Sequence, residues 1–192
     1  MLQSAAAAAA ATAAKDHDDD DANWTFGQAY GAYLLRHGFD PDERDSVKYV
    51  VNNHYDNNNN SNGNNDELAY VMLRYRQCHD FWHALTGLPP TVLGELGLKW
   101  LELFQTGMPV AAFSATIESR QLLNDVHEQR VLWDLYVPWA VENARQLPFG
   151  ALMNVYYERE WDTPLVDFRK RLGITRAPKI NILEQPAGAW VI

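Results

Sequence analysis

The sequence predicts an all-α fold, a compact single-domain helical bundle, on three observations. Apolar residues recur at three- and four-residue spacing in the segments between glycine and proline breaks. No alternating strand or hairpin signal competes with them. The chain has 192 residues, 47% hydrophobic and 12% aromatic with seven Trp, enough apolar material for one buried core.

Taken in order, Met1 to Lys15 is an alanine tract, followed by Asp16, His17 and Asp18 to Asp21. Low complexity of this kind buries little, so residues 1–22 are expected to be a disordered tail. The helical domain is expected over 23–176. Thr25 to His37 is apolar at Phe26, Ala29, Tyr30, Tyr33 and Leu34 and stops at Gly38, a good C-terminal signal. A second helix is predicted from Pro41 to about Asn53, opened by Asp40 and a first-turn proline. An asparagine-rich block at about 52–65 then reads as a surface insertion, because asparagine side chains compete for backbone hydrogen bonds and favour turns.

Glu67 to about Thr86 repeats apolar residues at Leu68, Val71, Met72, Tyr75, Cys78, Trp82 and Leu85. Past Pro89 and Pro90, Thr91 to about Gln105 is apolar nearly all round, except for a thin strip of Glu95, Lys99 and Glu102. Gly94 and Gly97 remove side-chain bulk from that helix, which suits either close helix contact or room for a substrate. Glu118 to Val137 is amphipathic, with Pro138 expected to end or kink it. Helices are then predicted over Glu142 to Leu147, Gly150 to Glu158 and Pro164 to Leu172, the last capped by Asp162 or Thr163. Tyr156, Tyr157 and Trp161 are expected in the core, and 177–192 is a C-terminal extension.

Net charge is −9 and the pI about 5.0, with no Lys/Arg-rich face, which argues against nucleic acid as the main partner. The tail lacks arginine and turns acidic, unlike a transit peptide, and it lacks the basic start of a secretion signal. No apolar run approaches the roughly 18 residues of a membrane-spanning helix. The single cysteine, Cys78, excludes an intrachain disulfide framework. Beside His79 it reads as a small buried apolar residue, with a fifth metal ligand as the alternative.

The chemistry concentrates at His79, Asp80, Phe81, Trp82, His83, followed by Glu95 after eleven intervening residues. Residues i and i+4 of a helix share a face, so His79 and His83 can hold one divalent ion, expected to be zinc. Asp80 lies about 100° round the wheel, on the near flank of that pair. His79 falls inside the apolar stripe, His83 at its edge and Asp80 beyond it, and a polar cluster at the border of a core is costly unless paired or metal-bound. Taken singly, the same residues have plainer roles. Glu95 and Lys99 suit an i,i+4 surface ion pair worth about 0.3–0.5 kcal/mol, Asp80 and Arg76 another, and His79 a satisfied core histidine. Their joint spacing favours the metal.

The chain resembles the coenzyme Q biosynthesis protein 4 family, whose hallmark is a zinc-binding HDxxH motif with a glutamate eleven residues on. The likeness covers Phe26 to Ile174, with ELAYVMLRYRQCHDFWH, GELGLKWLELFQTGMP, VPWAVENA and YYEREWDTPLVDFRKRLGI in the family's order. It implies His79, Asp80, His83 and Glu95 as zinc ligands. It also implies removal of the C1 carboxyl of a polyprenylated 4-hydroxybenzoate-type precursor in ubiquinone biosynthesis, in one form coupled to oxidation at that carbon. Glu95 or Asp80 is then the acid that delivers a proton, and Leu98, Leu101, Phe104 and Met108 are expected to line a groove for the polyprenyl tail. The implied partners are other ubiquinone-biosynthesis enzymes and a second copy of the chain, and the implied place is the matrix face of the mitochondrial inner membrane, in peripheral contact. Two departures stand out: the Ala/Asp tail replaces helices that open the family's pattern, and the asparagine block is inserted. Two other function classes remain open, a non-catalytic organiser with a structural metal and a metal-dependent hydrolase.

Overall fold

The computed structural model describes residues 23–41, 63–118, 122–123 and 125–180, and side chains within them except at 63–66 and 118. The fold is all-α; among the described residues the sole β feature is an isolated bridge between Thr25 and Pro164. The helix predicted from Pro41, nearly all of the asparagine block and the proposed tail lie outside the described residues.

Among the described residues, six helices make the bundle. Helix α1, Phe26–His37, starts at a reciprocal cap, in which Gln28 N–H donates to Thr25 Oγ1 and Thr25 N–H to Gln28 Oε1. It stops at Gly38, whose φ of 69° places it in the left-handed region. Helix α2, Gly63–Thr86, begins four residues before the predicted Glu67, inside the asparagine block. Helix α3, Val92–Thr106, is capped by Thr91, whose hydroxyl accepts from Gly94 N–H. Helix α4, Pro109–Phe113, widens into a π-type turn over Ser114–Glu118.

Helix α5 runs Val126–Val131, widens over Leu132–Tyr136 and continues through Val137–Gln146. Pro138 therefore neither ends it nor separates a helix at Glu142. Val137 N–H reaches back five residues to Leu132 O, and this wider turn accommodates the proline ring within the helix. The predicted helix at Gly150 to Glu158 is instead two short 3-10 turns, Ala151–Asn154 and Tyr157–Arg159, interrupted by extended Val155. Helix α6, Leu165–Leu172, follows Pro164 with no side-chain cap; Thr163 bonds to Glu160 rather than capping.

The core forms where these helices meet. Phe26 of α1 lies 5.1 Å from Phe168 of α6 and 5.8 Å from Phe81 of α2, ring centre to ring centre, while α3 packs along α5. Of the stripe predicted on α2, Tyr75, Cys78, Trp82 and Leu85 are buried, whereas Leu68 and Val71 are exposed. Tyr157 is buried and Trp161 half-buried, but Tyr156 is exposed, under the Arg159 guanidinium. The alternatives at Gly94 and Gly97 resolve as close contact: a Cβ at Gly94 would lie 2.1 Å from Pro89 O, and one at Gly97 2.7 Å from the Tyr136 ring. Beyond α6, Ala177 N–H donates to Thr86 O, so the start of the C-terminal extension is tied to the end of α2. Among the described residues no helix is long and apolar enough to cross a membrane.

Candidate metal centre

Helix α2 projects His79 and His83 from adjacent turns of one face, and the first turn of α3 projects Glu95 toward them. Their ligand atoms all lie within 4.8 Å of one another. The three are 5%, 1% and 5% exposed, so the group is cut off from bulk water. His83 Nε2 stands 3.1 Å from Glu95 Oε1, His79 Nε2 3.2 Å from Glu95 Oε2, and the two Nε2 atoms 3.2 Å apart.

The other ring nitrogens decide what these contacts mean. His83 Nδ1 lies 2.9 Å from the carbonyl of Leu88, which can only accept, so Nδ1 carries the proton. His79 Nδ1 lies 2.6 Å from Glu102 Oε1, a carboxylate that likewise accepts. In neutral rings both Nε2 atoms are then bare lone pairs, facing each other and a carboxylate. Glu95 Oε2 has no hydrogen-bond partner, although buried. Three converging acceptors are costly in a dry site unless a cation sits between them. Donors about 2.0 Å from a tetrahedral ion stand about 3.3 Å apart, so the 3.1–3.2 Å edges suit an ion of zinc's size.

The charges agree. Burial and the Lys99 ammonium push the His79 imidazole down, but the Glu102 and Glu95 carboxylates outweigh them and raise it to about 9. Burial alone would raise Glu95; His83 and His79 instead hold it well below the usual carboxylate range. Glu102 is drawn down to about 2 against burial, by Lys99 and then by His79. A proton on His79 fills the gap in the bare protein, and a divalent ion would take its place.

The sequence matches a family model described as "Coenzyme Q (ubiquinone) biosynthesis protein Coq4" over residues 10–178. The chain belongs to the Coq4 family. A Bos taurus protein named "Ubiquinone biosynthesis protein COQ4 homolog, mitochondrial" is 40% identical over 154 residues, 80% of this chain and 52% of that protein. A Nematostella vectensis protein of the same name is 37% identical over 158 residues, 82% of this chain and 69% of that protein. A Pyrenophora tritici-repentis relative, "Ubiquinone biosynthesis protein coq4, mitochondrial", is 40% identical over 164 residues, 84% and 50% of the two chains. This chain spans about half the length of several of the curated relatives it matches.

In this Coq4-family chain the structure brings together His79, His83 and Glu95. Asp80, though buried, stands outside the set of mutually close ligand atoms. Cys78 is fully buried and outside it too, its thiol pushed up to about 11, chiefly by burial. Leu98 and Leu101 are fully buried in the core. Met108 lines a groove of about 270 Å3, with Tyr70, Val71, Arg74 and Met153.

Sequence reasoning missed the support behind His79. Lys99 pairs with Glu102 at 3.0 Å and not with Glu95, so no surface ion pair forms on α3. Tyr33 of α1 stacks on His83, ring centres 5.3 Å apart and planes 12° from parallel. The line of three charges at i, i+4 and i+7 on an otherwise apolar helix marks a polar strip, but the strip alone does not say that Glu102 is buried against His79.

Proposed function

We propose that this chain is a zinc-dependent decarboxylase of ubiquinone biosynthesis, acting at C1 of a polyprenylated 4-hydroxybenzoate-type precursor. The observation that carries the proposal is the donor count: three protein ligand atoms converge while Asp80 stays outside their set, and a tetrahedral ion then keeps one position for substrate. When bound, the ion supplies Lewis acidity and a docking point for the substrate carboxylate.

The residues divide the remaining work. Both oxygens of Glu95 face histidine nitrogens, at 3.1 and 3.2 Å, which makes it a ligand. Asp80, one residue from His79, is the acid proposed to protonate C1. As C1 takes the proton, the bond to the carboxyl carbon breaks, its electron pair restores the aromatic ring and carbon dioxide leaves; the donor then regains a proton from water. Arg74, five residues before His79 on α2, lines the groove of about 270 Å3, which is proposed to take part of the polyprenyl tail. Under the same proposal the chain works with other enzymes of the pathway and with a second copy of itself, on the matrix face of the mitochondrial inner membrane. The relatives' names carry the pathway and the mitochondrion.

A second function is favoured by the burial of all three ligands: a structural metal in a non-catalytic organiser that holds the lipid-tailed intermediate. Metal analysis of the wild type, His79→Ala and Glu95→Ala, with decarboxylation measured on the same samples, separates the two. Joint loss of metal and turnover supports the enzyme. Turnover retained without metal refutes the zinc dependence, and metal-loaded wild type that leaves the prenylated hydroxybenzoate untouched refutes the enzyme and leaves the organiser.

A further inference from the structure

The side of the centre away from the ligand triangle is built from three more polar groups, all almost fully buried. Glu102 is 0% exposed, Lys99 1% and Tyr75 4%. Glu102 Oε1 accepts from His79 Nδ1 at 2.6 Å, and Oε2 accepts from Lys99 Nζ at 3.0 Å and from the Tyr75 hydroxyl. Lys99 Nζ also donates to Tyr75 Oη at 3.0 Å and lies 3.5 Å from His79 Nδ1. A buried ion pair of this kind is seldom more stabilising than apolar side chains of the same volume, so fold stability gives a weak reason for its presence.

Two groups therefore compete for one ring nitrogen, with opposite consequences. Lys99 can only donate; if it donated to Nδ1, the ring proton would move to Nε2, and His79 could not bind an ion. Glu102 can only accept, which keeps the proton on Nδ1 and the lone pair on Nε2, toward His83 and Glu95. Distance favours Glu102, 2.6 against 3.5 Å, and its second oxygen engages the lysine that would otherwise turn to the ring.

We propose that Glu102, braced by Lys99 and Tyr75, is a positioning residue for the metal centre that fixes the His79 tautomer able to bind the ion. This rests on the metal-binding part of the proposed function and needs nothing from its reaction. Glu102→Gln is the sharp perturbation. The amide does best by offering its oxygen to Lys99 and Tyr75 and its NH2 to His79 Nδ1, which forces the proton onto Nε2. Replacing Lys99 by Met in the same chain removes the reason for that flip.

The test has two readouts, neither of them turnover. The first is the affinity for Zn2+ and Co2+, by competition with a chelating indicator, alongside the visible spectrum of the Co2+ form. Glu102→Gln is expected to bind about 10–100-fold more weakly, with partial recovery in the Lys99→Met, Glu102→Gln double variant. The second uses the wild type: long-range 1H–15N spectra of the zinc-loaded chain should place the His79 proton on Nδ1. The proposal is overturned by a His79 proton on Nε2, or by Glu102→Gln binding within about two-fold of wild type. Wild type that binds neither ion removes the metal reading and this one with it. Wild type that binds while the variant binds equally well removes this one alone.

Discussion

Gly94→Ala should unsettle the fold and the metal centre together, although Gly94, next to Glu95 in the chain, offers no ligand atom itself. The new Cβ would stand 2.1 Å from Pro89 O, against 3.4 Å for ordinary contact, a shortfall of 1.3 Å that falls on backbone and not on a side chain able to rotate away. The loop that must yield carries Leu88, whose carbonyl holds His83 Nδ1 at 2.9 Å, and a shift of that size takes the bond past its useful length. Overpacking costs about 1–3 kcal/mol and the lost hydrogen bond about 1, while alanine's better helix propensity returns about 1. The net loss is about 1–3 kcal/mol, or about 2–12 °C in Tm for a chain of this size. Thermal unfolding by circular dichroism, with and without zinc, measures it, and zinc affinity should fall as well. Gly97→Ala is the comparison: its Cβ meets the Tyr136 ring at 2.7 Å, a side chain and not the loop that holds His83, so it should lower zinc affinity less than Gly94→Ala. A Gly94→Ala protein as stable as wild type, with the same zinc affinity, would refute the reasoning.

Three other predictions follow from the same geometry. In the metal-free chain His79 is raised from 6.5 to about 9, so its contribution to stability is complete below pH 6.5 and lost as pH rises through 9; zinc should therefore raise Tm more at pH 9 than at pH 6.5, and a pH-independent gain would contradict this. Tyr157→Phe leaves Trp82 Nε1, 2.9 Å from the lost oxygen, unpaired in the core and should cost about 1–3 kcal/mol in urea unfolding. Thr25→Ala breaks the reciprocal cap of α1 and should cost about 1 kcal/mol in the same assay, with zinc affinity held.

The elements legible in the sequence are those whose ends are written locally. Thr25 and Gly38 bound α1 through a cap and a left-handed glycine, and Thr91 does the same for the start of α3. Pro138 misled because the rule that proline ends a helix assumes a four-residue hydrogen-bond ladder, and α5 widens there to five. Gly150 to Glu158 carries helix-like apolar spacing, but Gly150 at a φ of 74° and extended Val155 split it into tight turns that packing, not propensity, holds. Leu68 and Val71 keep the α2 periodicity yet remain exposed, since a stripe says which side of a helix is apolar and not how far a neighbour extends along it.

The metal centre divides along the same line. His79 and His83 are a one-helix relation, fixed by a four-residue spacing, and Glu95 follows once the Gly87–Pro90 connection turns α3 back on α2. Asp80 tests the limit of the wheel: 100° of rotation brings it to the flank of the histidines, but only the partner helix determines where three donors meet, and they meet without it. Glu102 lies further from prediction still, because nothing in a run of Glu95, Lys99 and Glu102 tells a solvated strip from a buried one. The difference is a matter of balance across two helices. Glu102 and Glu95 bring two negative charges and Lys99 one positive, all in a site no more than 5% exposed, so the buried donors carry a net negative charge before His79 is counted. A solvated strip would leave that imbalance to water. Here it must be met from inside, by a proton on His79 or by a divalent ion, which is why the residues that look most like ordinary surface charges are the ones that make a cation site of this pocket.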